Sequence, residues 1–163
     1  MESKGLDMPL HIRKYEKDSP KVLSWRIRQC NRIMKRSIEK KVSCTGVFNS
    51  QHRLLNILSH EPNISQIEIS ERLEISPASV AVTIKKLERG GYLNRTVDES
   101  DNRVNKIELT EKGDEVVKVS HVIFDEIEAA MFEGFSKEDR EKTQEILEKI
   151  SSNLIKYYVN LKD

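Results

Sequence analysis

Two short helical segments that follow each other almost without a gap constrain the fold of this chain more than any other feature. Ser65 and Glu68 form a capping box, in which the serine oxygen accepts from the backbone and the glutamate reaches back. Only Glu74-Ile75 separates this segment from a second start signal, Ser76-Pro77, whose helix stops at Gly90-Gly91. The spacing predicts a helix, a tight turn and a second helix.

A β-hairpin is predicted directly after this helix pair. Residues 93–97 and 103–109 alternate between polar and apolar side chains, and the polar residues 98–102 separate them. A helix-turn-helix followed by a hairpin is a winged helix-turn-helix. One of its helices fits the major groove of DNA, where base edges are distinguishable, and the hairpin can reach the adjacent minor groove.

Longer amphipathic helices flank this unit, which makes the predicted fold mainly α. Periodicity and cap signals predict helices from Lys21 to about Lys41, from Asn49 or Ser50 to about His60, from Glu111 to about Phe132 and from Lys137 to about Val159. In the last helix the apolar side chains are expected to face inward: Ile146, Leu147, Ile150, Leu154 and Tyr157/Tyr158. Residues 1–45 then form an N-terminal arm and helix, 46–112 the winged unit, and 113–163 the C-terminal helices.

Charge is distributed unevenly along the 163 residues, although the formal net charge is only +1. Residues 1–45 contain 12 basic and 5 acidic residues (+7), residues 46–112 contain 9 and 10 (−1), and residues 113–163 contain 7 and 12 (−5). The near-neutral sum argues against a general polycation, so a nucleic-acid interface would depend on a few placed cations. No apolar run approaches the ~20 residues of a membrane span, and no signal peptide is visible, so we expect a cytoplasmic location.

The second helix of the pair has one face suited to the core and one suited to DNA. Val80, Ile84 and Leu87 have the spacing of an inward face. The opposite face and the helix start provide groups for phosphates, base edges or a thymine methyl: Ser76, Pro77, Ala78, Ser79, Val82, Thr83 and Lys86. The alternative is an ordinary polar helix surface, against which an exposed valine argues.

The hairpin supplies further candidate DNA contacts. Arg103 follows the loop, and Asp101, two residues earlier, is placed to hold its guanidinium group in position for a narrow minor groove. A surface ion pair is the alternative. Arg95 on the first strand adds a cation, and we include Ser65 and Asn102 among the candidates.

The stretch from Ile64 to Gly113 resembles the MarR family of transcriptional regulators. The residues that carry the resemblance are Ser65–Leu73, Ser76–Val80, Leu87–Leu93, Asp98, Asp101, Arg103, Leu109-Thr110 and Gly113. The resemblance implies a homodimer on a palindromic operator, with the first and last helices interlocked, Arg103 in the minor groove and Asp101 steadying it. Glu99, Asn102, Ala81 and Val82 depart from the family pattern and reduce positive charge at the DNA face, which affects operator sequence and affinity.

The resemblance also implies a small aromatic or lipophilic effector between the winged unit and the dimer helices. Trp25, Phe48, His52 and Phe124 are candidates to line its pocket, and the favoured alternative is that they fill the core. The histidine spacing predicts no metal site, no cofactor motif is present, and no catalytic signature indicates an enzyme. Cys30 and Cys44 are interpreted as reduced thiols, with oxidant sensing as the minority alternative.

These observations predict a dimeric, sequence-specific DNA-binding regulator, with repression as the expected mode. The competing hypothesis is a winged-helix protein-interaction module that uses the uncharged Ser79/Val82/Thr83 face to bind a partner and does not bind DNA.

Overall fold

The computed structural model describes residues 7–62, 64–97 and 105–161, and helices dominate these ranges. The helices are α1 (Leu10–Arg13), α2 (Pro20–Val42), α3 (Asn49–His60), α4 (Gln66–Leu73), α5 (Pro77–Arg89), α6 (Glu111–Met131) and α7 (Lys137–Val159), with a 3-10 turn at Ser43–Thr45. Antiparallel strands β1 (Leu93–Val97) and β2 (Asn105–Leu109) pair between α5 and α6. The mainly α winged helix-turn-helix prediction is therefore confirmed.

The hairpin pairs Leu93 with Leu109 and Arg95 with Ile107. Leu93 and Ile107 are buried because they face the helices, as the period-two pattern requires. The sequence prediction started the second strand at residue 103. The structure describes this strand from Asn105 onward, and residues 98–104 lie outside the described part of the chain.

The chain divides into two compact units, Met1–Ile127 and Glu128–Asp163. In the first unit, apolar side chains from α3, α4, α5, the hairpin and α6 form one core. Its buried members are Val47, Leu54, Leu55, Leu58, Ile69, Leu73, Val80, Ile84, Leu87, Leu93, Ile107, Val116 and Val117. The core therefore holds the helix pair and the hairpin as one body.

The side of α2 that is buried is not the side on which apolar residues recur most regularly in the sequence. Leu23, Ile27 and Ile33 follow the helical period but are exposed. The buried apolar residues of α2 are Val22, Trp25 and Val42. Val22 and Trp25 pack against Ile12 of α1, a short helix that the sequence analysis did not predict. A four-residue helix has too few residues to show a periodic pattern, which explains the omission.

The second unit contains the end of α6 and all of α7. Phe132 and Phe135 pack edge to face with ring centroids 5.6 Å apart, and the side chain of Ser136 caps α7. None of the residues Lys137–Val159 is buried. The prediction that the apolar side chains of α7 face inward is wrong for the single chain, in which most of them are exposed: Ile146, Leu147, Leu154, Tyr157 and Tyr158. None of the described helices has the length and apolar character needed to span a membrane.

Candidate nucleic-acid interface

The start of α4 confirms the predicted capping box. Ser65 Oγ accepts from the Glu68 backbone N–H at 3.2 Å, and Glu68 Oε2 accepts from the Ser65 N–H at 2.9 Å. The Ser65 side chain, and after it the Ser65 backbone N–H, hydrogen-bonds to the Glu68 carboxyl and holds its pKa below the ordinary value, because both contacts stabilise the charged form. The exposed Ser65 side chain therefore lies at a fixed helix start, the position at which a backbone phosphate is accepted.

The turn between α4 and α5 depends on a single left-handed residue. Glu74 has φ 55°, an uncommon value for a non-glycine residue, and the Ile75 N–H donates to Ser70 O at 3.1 Å. Ser76 then caps α5 by accepting from the Ser79 N–H at 3.2 Å, with Pro77 at the first helical position. The two helices are thereby joined by the tight connection that the sequence predicts.

Helix α5 has the two faces that its sequence predicts. Val80, Ile84 and Leu87 have no exposed surface and form part of the core. The candidate residues on the other face are exposed, with the exception of the half-buried Thr83: Ser76, Pro77, Ala78, Ser79, Val82 and Lys86. Val82 exposes 54% of its surface. The core therefore fixes the helix with an outward face that is uncharged and partly apolar from Ser76 to Thr83 and basic at Lys86.

Three hydroxyl groups on this face have partners within α5 or its cap. The Thr83 hydroxyl donates to Ser79 O at 2.8 Å, and the hydroxyl groups of Ser76 and Ser79 lie 2.9 Å apart and share a hydrogen bond. Lys86 extends from the later part of the helix. The exposed cations Lys85 and Arg89 lie nearby, and the sequence analysis did not include them. Their position in the last turns, where helices commonly carry basic residues, was the available signal.

The hairpin contributes Arg95 among its described residues. Arg95 Nε lies 3.7 Å from Glu88 Oε2, and the arginine is half-buried, so part of its charge is already balanced by α5. The candidates Asp101, Asn102 and Arg103 lie outside the described residues, and their assigned roles stay predictions.

A cavity of about 770 Å³ lies where α2 meets the start of α3. Apolar side chains of Val42, Val47 and Phe48 line it together with the cations Lys35 and Arg53. The sequence predicts Asn49 or Ser50 as the cap of α3. In the structure Phe48 occupies the cap position, and Gln51 Oε1 accepts its backbone N–H at 2.9 Å.

The four candidate pocket residues have different environments. Phe48 lines this cavity, and Phe124 is half-buried on α6. Trp25 packs with Ile12 and Val22, and His52 is buried between Thr45 and Ser120, so both belong to the packed interior. Among the described residues, no group of three or more His, Cys, Asp or Glu side chains is arranged to hold a metal ion.

Comparison with known proteins identifies the family that shares this arrangement. The model of the MarR family matches residues 49–104, from α3 into the hairpin. An uncharacterised HTH-type transcriptional regulator of Bacillus subtilis (strain 168), YdgJ, is 30% identical over 112 residues, which cover 69% of this chain and 68% of the relative. The chain belongs to the MarR family.

Solved structures of MarR-family proteins extend the similarity to most of the chain. A MarR transcriptional regulator from Methanosarcina mazei Go1 is 30% identical with a TM-score of 0.68, covering 83% of this chain and 97% of that one. The S. aureus MepR–DNA complex is 26% identical with a TM-score of 0.70, covering 86% and 99%. The MarR fold therefore includes the flanking helices, for which the sequence resemblance was weak.

Proposed function

We propose that this MarR-family chain is a sequence-specific DNA-binding transcriptional regulator that places α5 in the major groove. The observation that carries the proposal is the two-faced α5, whose buried side is held by the core while Ser79, Val82 and Lys86 point outward. A helix fixed in this way can present side chains to base edges without rearrangement. The similarity to MepR, whose structure was solved in a complex with DNA, supports this mode of binding.

The active form is a homodimer on a palindromic operator. Residues 46–112 are the DNA-binding unit, and residues 1–45 and 113–163 provide the dimer helices. Exposed apolar side chains on α2 and α7, among them Leu23, Ile27 and Leu154, support this assignment, because such surfaces on a single chain mark interaction sites. The charges of the two segments, +7 and −5, favour their contact.

The expected role is that of a cytoplasmic repressor released by a small aromatic or lipophilic effector. The cavity at the start of α3 supports the effector, because Val42, Val47 and Phe48 offer apolar surface beside Lys35 and Arg53. A ligand bound there would favour a dimer whose two α5 helices no longer match adjacent major grooves. If DNA affinity stays constant across a panel of aromatic acids, peroxide and metal ions, the proposed release by an effector loses its support.

Selection of bound duplexes from a random pool, followed by salt titration of the selected duplex, tests the central proposal. A groove reader loses affinity steeply with salt, because each phosphate contact releases a counterion. We expect the selected duplex to be bound and its affinity to fall along such a slope. Negligible duplex binding at low salt would instead favour the protein-interaction module.

Arg103→Ala tests the proposed role of the wing. We expect it to weaken operator binding by about fivefold to 150-fold, since an arginine in a groove contributes about 1–3 kcal/mol. The dimer, measured by sedimentation, should be unchanged, because residue 103 lies in the winged unit. Wild-type affinity of this variant in gel-shift titrations would show that the wing arginine does not contact DNA.

A further inference from the structure

The first two turns of α5 carry none of the side chains that pair bidentately with a purine edge. Guanine is read mainly by arginine or lysine and adenine by asparagine or glutamine. The segment Pro77–Thr83 contains only proline, alanine, serine, valine and threonine. The cations of α5 come later, at Lys85, Lys86 and Arg89, where they suit phosphates better than bases.

Internal hydrogen bonds further reduce the polar capacity of this surface. The Thr83 hydroxyl hydrogen is committed to Ser79 O, and one hydroxyl hydrogen of Ser76 or Ser79 is committed to the other serine. Of these three hydroxyl groups, only one hydrogen stays available to a base. This part of the helix can therefore donate few hydrogen bonds to DNA bases.

Apolar surface is what this part of α5 does expose. Val82 is more than half exposed, although Val80 and Ile84 on either side are fully buried. Ala78 lies one turn earlier on the same face and is also exposed. The two side chains form a small apolar strip on a helix whose opposite face is held by the core.

We propose that Val82, together with Ala78, reads the C5-methyl group of thymine, so that each operator half-site carries thymine opposite this strip. The thymine methyl is the apolar group that the bases expose in the major groove, and aliphatic side chains are its usual contacts. This inference rests on the proposed DNA-binding function. It makes that function more specific. The methyl contacts would distinguish one base from another, and the later cations of α5 would supply affinity by binding phosphates.

The test compares thymine with deoxyuridine, which lacks only the C5-methyl group. The duplex selected from the random pool is resynthesised with deoxyuridine at each thymine position in turn, and affinities are measured at one fixed salt concentration. For the wild-type chain we expect about a fourfold loss per methyl group at one position of each half-site. Replacing that thymine–adenine pair by 5-methylcytosine–guanine should be tolerated better than replacing it by cytosine–guanine.

Two variants connect this effect to the proposed side chain. Val82→Ala should bind the thymine and deoxyuridine duplexes with nearly equal affinity, and it should fold normally because position 82 is outside the core. Lys86→Gln serves as the matched control, since it should weaken binding to both duplexes by the same factor and leave their ratio unchanged.

Each outcome supports or overturns the inference. Equal wild-type affinity for the thymine and deoxyuridine duplexes at every position would overturn the methyl readout while leaving DNA binding intact. A thymine preference that persists in Val82→Ala would overturn the role of Val82. If no duplex is selected at all, the proposed function itself fails, and Val82 is then better explained as a contact for a protein partner.

Discussion

His52 connects three segments of the first unit through its two ring nitrogens. Its Nε2 lies 2.9 Å from Thr45 Oγ1 in the turn after α2, and its Nδ1 is hydrogen-bonded to Ser120 Oγ on α6. The hydroxyl oxygens of Thr45 and Ser120 also lie 2.7 and 2.6 Å from the backbone carbonyl oxygens of Val42 and Val116. Burial lowers the pKa of His52 from its ordinary value of 6.5, because the interior disfavours the charged ring.

The stability of the fold should therefore depend on pH through His52. Its pKa in the folded chain lies below that in the unfolded chain, so protonation favours unfolding, and stability is lost as pH falls below about 6.5. We expect the urea concentration at the unfolding midpoint of the wild type to fall as the pH is lowered from 7.5 to 5.5. The midpoint of His52→Gln should change less over the same range.

Exposed His11 provides the matched control for this experiment. His11→Gln should retain the wild-type pH dependence, and protein concentration must be held constant because a dimer unfolds in a concentration-dependent way. An identical pH dependence in His52→Gln and the wild type would show that another group is responsible.

For individual residues of the candidate site, the sequence predicts which side chains of α5 point outward, but it does not predict which distant residues they contact. The outward position of Ser79, Val82 and Lys86 follows from helical spacing, since Val80 and Ile84 must face the core. The pairing of Arg95 with Glu88 could not be predicted, because it depends on where β1 lies beside α5. The hydroxyl partners of His52, on Thr45 and Ser120, could not be predicted for the same reason.

At the scale of elements, local chemistry determined most boundaries. Ser19, Ser65, Ser76 and Ser136 each cap a helix through their side chains, and Gly91, with φ 72°, follows the end of α5. Thr110 begins α6 by accepting from the Gly113 N–H at 3.1 Å, and it also donates to Gly91 O at 2.7 Å. The cap signals lie within a few residues, so the sequence alone reveals them, whereas the Thr110–Gly91 hydrogen bond joins residues 19 positions apart and depends on packing.

Gly113 tests how closely α6 approaches the hairpin. A Cβ atom at this position would overlap the backbone carbonyl of Tyr92 and crowd Leu109. Helix propensity alone would make Gly113→Ala stabilising by about 1 kcal/mol. We expect it instead to reduce the free energy of unfolding by about 1–3 kcal/mol, because the contact is with backbone that cannot rotate away.

Exposed Glu115 on the same helix gives the comparison. Glu115→Ala should leave stability close to the wild-type value, as measured by chemical unfolding. A Gly113→Ala variant as stable as the wild type would mean that α6 and the hairpin separate easily.

At the scale of the whole molecule, α7 presents its apolar residues to solvent in the single chain. Leu154 exposes 62% of its surface, and Ile146, Ile155 and Tyr158 are similarly exposed. A helix with this much uncovered apolar surface needs a partner to bury it. The proposed dimer supplies one.

Leu154→Glu should convert the protein to monomers. A charge in the centre of the apolar surface of α7 cannot be buried without a large cost, and α7 is already rich in acidic residues. Sedimentation measures the change, and operator affinity should fall with it because a monomer contacts only one half-site.

Lys149→Glu is the control, since this exposed position lies on the same helix but outside the apolar set. It should retain the dimer. If Leu154→Glu also remains dimeric, α7 does not form the proposed interface.

The sequence alone is enough to predict the order of the elements from α2 onward, the helix caps other than that of α3, and the buried and exposed faces of α5. These properties depend on residues three or four positions apart, which interact before any long-range contact forms. It took the tertiary structure to show that Leu23 and Ile27 are exposed while Val22 and Trp25 are buried, that Arg95 pairs with Glu88, and that none of the residues of α7 is buried. Periodicity reports that a face is apolar, whereas the surface that covers it, in this chain or in a second copy, is set by how distant segments pack.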